Sequence, residues 1–143
     1  AWAQNRLAVI DIDWYQEAKA RDAFLVIDAF LIEHGLQETS LYFLNQLDLA
    51  IALSHLEEYG AARTANETAL AGYTRMFGPS HPEVAYCWNH QAIVLLGMGD
   101  LAAAKEAHQN AKHTALMSAG EGAEIHDSIL RWGRKNAALL NQD

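Results

Sequence analysis

The stretch Glu57-Glu58-Tyr59-Gly60-Ala61-Ala62 has a counterpart 42 residues further on, Gly99-Asp100-Leu101-Ala102-Ala103-Ala104, in which a turn-like pair is followed by a run ending in small residues. Self-similarity at one fixed offset decides the reading of the whole chain, because each copy must then be one structural unit of a repeating stack. Three segments line up at this offset: Ala8 falls on Ala50 and Ala92, and Ala20 on Ala62 and Ala104. Two small residues twelve apart therefore recur three times. Neighbouring columns agree in character, as in Leu7 with Leu49, Leu53 with Leu95, Phe24 with Asn66 and His108, and Leu36 with Gly78 and Gly120.

Each copy reads as two helices, since apolar residues recur at three and four and the segments between breaks are long and alanine-rich. The spacing predicts helices near 2–14, 17–33, 40–57, 60–77, 82–98, 101–118 and 123–140. Gly35, Gly78 and Gly120 stand where C-caps belong, and Pro79 and Pro82 flank a tight entry with Ser80 as the expected cap. Small residues at the two recurrent positions let the helices of a hairpin approach closely, where a larger side chain would hold them apart. The expected fold is all-α: a single domain over 1–143, a right-handed superhelical stack of three hairpins (repeats about 1–36, 43–78 and 85–120) closed by a C-terminal capping helix at 123–140.

Composition excludes several function classes. The chain of 143 residues is 51% apolar, enough for one core. Its longest apolar stretches, Phe24 to Ile27 and Ala29 to Ile32, are interrupted by Asp28 and closed by Glu33, far short of a bilayer span, so no membrane partner is expected. Eighteen acidic against ten basic residues give a net charge of −8 without a basic stripe, which argues against nucleic acid. Cys87 is alone, so no internal disulfide or cysteine cluster forms, and a reducing, cytoplasmic compartment is expected. The sequon Asn66-Glu67-Thr68 lies in a helical stretch and reads as chance. The chain does not start with Met, so it reads as a processed product or a piece of something longer.

The pattern resembles the tetratricopeptide repeat, most strongly over 43–120. With Ala92 on the family's eighth position, Trp88 takes its aromatic fourth, Leu95 its eleventh, Gly99 its glycine, and Leu101, Ala104, His108 and Ala111 its second-helix positions. The repeat from Phe43 matches through Ala50, Leu53, Tyr59, Ala62 and Ala69, and departs at Gln46 and Glu57. The 42-residue period and the link Phe77-Gly78-Pro79-Ser80-His81-Pro82-Glu83 look like the longer repeats of kinesin light chain and of bacterial members. The resemblance implies a scaffold that binds a protein or peptide in a concave groove lined by the first helix of each repeat. Carried over by position, that groove would hold Trp2, Asn5, Arg6, Val9 and Asp13, then Leu44, Leu47, Asp48, Ile51 and His55, then Tyr86, Asn89, His90 and Ile93. Of these, Asn5, Arg6, Asp48, Ile51, His55, Tyr86, Asn89 and His90 are the candidate peptide-binding residues.

An Asn amide donates to and accepts from a peptide backbone at once, which suits sequence-tolerant capture of an extended or helical segment. Core packing or a contact with the seventh helix competes as the reading for Trp2, Leu44, Leu47 and Ile51, whereas Asn89 and His90 would be costly to bury without partners. Trp88 reads as structural. Arg6 alone could serve a carboxylate clamp, so an acidic chaperone tail is not the expected ligand. The alternative function is a sensor or regulatory domain within a larger signalling or transcription-regulating protein.

No catalytic constellation, metal site or cofactor motif is expected. His108 and His113 are five apart and face different ways on a helix, and no His-Glu-x-x-His, phosphate loop or nucleophile elbow occurs. Glu121, Glu124, His126 and Asp127 cluster at the start of the final helix, where the helix dipole accounts for the acids. Ile125, Ile129, Leu130, Trp132, Leu139 and Leu140 do not all share one stripe of that helix. With Arg131, Arg134 and Lys135 beside them, a homodimer through 125–140 is the expected mode of any self-association.

Overall fold

The computed structural model describes residues 2–119 and 123–141, with side chains from Tyr15 onward. Seven helices follow one another: α1 (Trp2–Glu33), α2 (Ser40–His55), α3 (Tyr59–Phe77), α4 (Pro82–Gly97), α5 (Leu101–Ala119), α6 (Glu124–Lys135) and α7 (Ala137–Leu140). Each helix packs chiefly on its sequence neighbours, so the chain is an all-helical stack. The hairpins α2–α3 and α4–α5 are its centre.

Local chemistry sets the helix ends. Thr39 caps α2 by accepting from the Tyr42 amide at 3.3 Å. The α4 cap is His81 rather than Ser80: its Nδ1 accepts from the Glu83 amide at 3.2 Å, its ring stacks on Phe77, and Pro82 opens the helix. Both hairpin turns use one motif. The Glu57 amide donates to Ser54 and the Glu58 amide to Leu53, just as Gly99 donates to Leu96 and Asp100 to Leu95. This closure requires a left-handed residue, and φ is 61° at Glu57 and 82° at Gly99.

The first repeat departs from expectation because residues 2–33 form one unbroken helix instead of two. Tyr15 occupies the repeat position of Glu57 and Gly99, where a bulky aromatic side chain opposes the left-handed turn by about 1–2 kcal/mol. Gln16, in the place of Asp100, is also a poor N-cap, whereas the Asp100 carboxylate accepts from the Ala103 amide at 3.2 Å. The stack therefore comprises a long leading helix, two hairpins and a terminal pair, because the expected 123–140 helix breaks at Asn136. Gly120 lies outside the described residues, while Gly35 and Gly78 end their helices with φ of 68° and 86°.

The recurrent alanines sit at the closest helix approaches. Ala50 and Ala62 share one core cluster with Leu49, Leu53, Ala65 and Val94, and Ala92 and Ala104 share another with Leu95, Ala107 and Leu140. All four alanines are fully buried. Gly72 serves the same purpose, since a Cβ there would overlap the Phe43 ring. Trp88 is structural as expected, touching three of the clusters from the middle of α4.

Candidate functional site

Helices α2 and α4 present one face each to a shared concavity, and α6 closes its far end. Ile51, Ser54 and His55 lie at helical spacing on α2, and Tyr86, Asn89, His90 and Ile93 on α4, so each set forms a single stripe. Ile125, Ser128 and Ile129 of α6 complete the wall around a cavity of about 200 Å³. Four isoleucines make the aliphatic part of the walls, with an amide, three hydroxyls and two imidazoles as polar points.

The sequence-based candidates thus separate into four groups. Ile51, His55, Tyr86, Asn89 and His90 converge on this one cavity, and Ile93 joins them. Asp48 and Leu44 do not reach it. Asp48 is half-buried, and burial pushes its carboxyl above the ordinary range. Leu47 belongs to the core, packed with Phe43, Tyr73 and Val84. The side chains of Trp2, Asn5, Arg6, Val9 and Asp13 lie outside the described residues. Ile125, Ser128 and Ile129 were not foreseen, because no periodicity within α2 or α4 shows that α6 folds back over them.

His90 lines the cavity yet is buried, with 6% of its surface exposed, and it has the partners that make burial tolerable. Its Nδ1 lies 3.3 Å from Asn66 Oδ1 and its Nε2 3.2 Å from Ser54 Oγ. The Asn66 amide nitrogen is already committed, donating to the Cys87 carbonyl at 3.1 Å and to Gln91 Oε1 at 2.7 Å. Asn66 Oδ1 can therefore only accept, which assigns the imidazole proton to Nδ1. Nε2 then accepts, and the Ser54 hydroxyl proton serves either Nε2 or the Ile51 carbonyl 2.8 Å away. Burial first, and then the charge of His55, lower the His90 pKa to about 4, so the ring is neutral at pH 7.

Asn89 differs from its neighbour. Its side-chain oxygen is buried with no hydrogen-bond partner, one of three such atoms among the described residues. An unpartnered amide oxygen beside an apolar cavity is a vacant acceptor, and leaving it so costs about 1–3 kcal/mol. Tyr86, 53% exposed, stands at the mouth. His55 is exposed and ties the site to α1 through Glu17, whose carboxylate lies 3.0 Å from its Nδ1.

The remaining chemistry is structural. Cys87 is fully buried, and burial pushes its thiol up to about 12, so it is no nucleophile at neutral pH. Among the described residues no group of three or more His, Cys, Asp or Glu side chains gathers as metal ligands would. Nor, among them, is any helix long and apolar enough to cross a membrane.

Two hairpins in register, small residues at each crossing and a concave face lined by first helices define a helical repeat protein of the hairpin-stack class. Residues 42–111 match the tetratricopeptide repeat model, and this segment, which spans α2 to most of α5, belongs to that family. The fold is shared with the crystal structure of BtubC (BKLC) from P. vanneervenii, at a TM-score of 0.69 and 17% identity. That alignment covers 91% of this chain and 60% of BtubC, so the chain spans about three-fifths of its neighbour's length. No curated protein matches this sequence.

Proposed function

We propose that the chain is a non-catalytic scaffold of the cytoplasm that captures a protein or peptide segment in the α2–α4–α6 cavity. Repeats of this family serve in general as protein-binding modules, which supports the broad reading. The observation that carries the local one is the unpartnered Asn89 oxygen beside an aliphatic cavity. A peptide would place one aliphatic side chain among Ile51, Ile93 and Ile129 while its backbone N–H donates to Asn89. The cavity volume of about 200 Å³ suits a side chain of leucine or isoleucine size rather than a whole cofactor.

A peptide array screened against the folded protein tests this. Binders are expected to share one aliphatic anchor, and Asn89→Ala or Tyr86→Ala should weaken them about 5- to 30-fold, the equivalent of 1–2 kcal/mol. His90→Ala is unsuitable as a probe, because it would break the buried network. Binding unchanged in both Asn89→Ala and Tyr86→Ala would remove the cavity from consideration.

A further inference from the structure

Helix α5 and the α6–α7 pair enclose a second cavity, of about 250 Å³, that shares no lining residue with the α2–α4–α6 cavity. Lys105, His108 and Lys112 stand at i, i+3 and i+7 on one face of α5, and Gly133 and Arg134 line it from α6. Three cations and no carboxylate thus line one cavity, in a chain of net charge −8 with only ten basic residues. Among the described residues none of the three makes an ion pair. The helix dipole accounts for Arg134, in the last turn of α6. It does not account for Lys105 in the second turn of α5 or Lys112 in its middle.

His108 sits among these cations with a gap in its own hydrogen bonding. It is 6% exposed, and its Nδ1 is buried with no partner. Burial, and after it the charge of Lys112, lower its pKa, so the ring is neutral at pH 7. An orphaned buried N–H is rarer than an orphaned acceptor, which puts the proton on Nε2. That edge of the ring lies against Gly133, where a Cβ would overlap Nε2 and Cε1. Glycine is disfavoured inside a helix, and here it makes room for the imidazole at the wall both residues form. The cavity therefore gathers donors without a charged acceptor to match them.

We infer that it binds a small organic phosphomonoester, the phosphoryl group between Lys105, Lys112 and Arg134 and the apolar body against Leu130, Ala137 and the buried Leu140. Three positive charges match a dianion. A tetrahedral phosphoryl group accepts from α5 and α6 at once, whereas a carboxylate offers two oxygens in one plane. His108 Nε2–H adds a donor that carries no charge. The volume lies at the small end of ligand pockets, which fits an aryl or short alkyl phosphate rather than a dinucleotide. The site is independent of the peptide reading, with which it has no residue in common.

Calorimetric titration of the folded chain at low salt tests the inference with phenyl phosphate, inorganic phosphate and benzoate. Phenyl phosphate should bind tightest of the three and shift the imidazole nitrogen resonances of His108, assigned through His108→Gln. Lys112→Gln and Arg134→Gln should each weaken it about 10-fold, as loss of a charge-assisted hydrogen bond does. Arg131→Gln, on α6 but outside the cavity, should leave it unchanged. No binding at millimolar concentration would overturn the site, and so would equal weakening in Arg131→Gln, which would mark a diffuse attraction to a basic surface. Benzoate or inorganic phosphate binding as tightly as phenyl phosphate would overturn the ligand class.

Discussion

His90 shows how one side chain can line a cavity and still be held by the core. Its repeat position faces the groove, but Ser54 and Asn66, 36 and 24 residues away, hold both ring nitrogens. Neither partner is visible in the local pattern, since one lies on α2 and the other on α3. Asn89, by contrast, lines the cavity at its repeat position with an oxygen that has no partner within the fold. Burial makes His90 a source of acid sensitivity. Its folded pKa of about 4 lies below the ordinary 6.5, so the unfolded chain binds the proton first as pH falls. Stability is complete above pH 6.5 and is lost progressively down to pH 4, by about 3 kcal/mol from this residue. The pKa of His108 is shifted the same way by burial and Lys112, adding to the loss. Urea unfolding at pH 7 and pH 4.5 should show this drop, and His90→Gln should reduce the difference between the two.

Among the elements, the hairpins α2–α3 and α4–α5 were readable to within a residue or two, because the alanine columns, the caps and the apolar spacing all agree there. The first hairpin was not. Its helical periodicity is real, but periodicity does not say whether a helix ends, and the deciding residue is Tyr15 at the turn position. Helix α6 is the other element whose role exceeds its sequence signal. Ile129 is 2% exposed and packs with Ala85, Ala111 and Ala115, and Leu140 is buried beside Leu95, while Trp132 lies 5.2 Å from the His108 ring. Most of the apolar surface from which a C-terminal homodimer was expected is thus spent on capping, with Leu139 left 45% exposed. Ile129→Ala should cost about 2–5 kcal/mol of α6 docking. Hydrogen exchange should find the amides of 124–135 deprotected while those of α2 and α3 keep their protection, since coupling in a stack runs through nearest neighbours. Uniform loss across all helices would show that α6 is part of one cooperative unit.

At the scale of the molecule, the stack has unequal ends. One is sealed by α6 and α7, and the other ends in the unbroken α1, whose bare face extends the core outward. Ion pairs at the α1 end, Arg21 with Glu58 at 3.2 Å and Arg75 with Glu38 at 3.3 Å, are exposed and add little to stability. The unsealed end has a thermodynamic consequence. Coupling in a stack runs through nearest neighbours, and α1 rests chiefly on α2 while its Ile27 and Phe30 stay 41% and 55% exposed, so this end opens at a smaller free-energy cost than the centre. Limited proteolysis should cut within residues 15–33 before it cuts α2 to α5, leaving a resistant remnant made of the two hairpins. Cleavage spread evenly along the chain would instead reveal a stack that opens only as a whole. Otherwise wear begins where the molecule has a neighbour on one side alone.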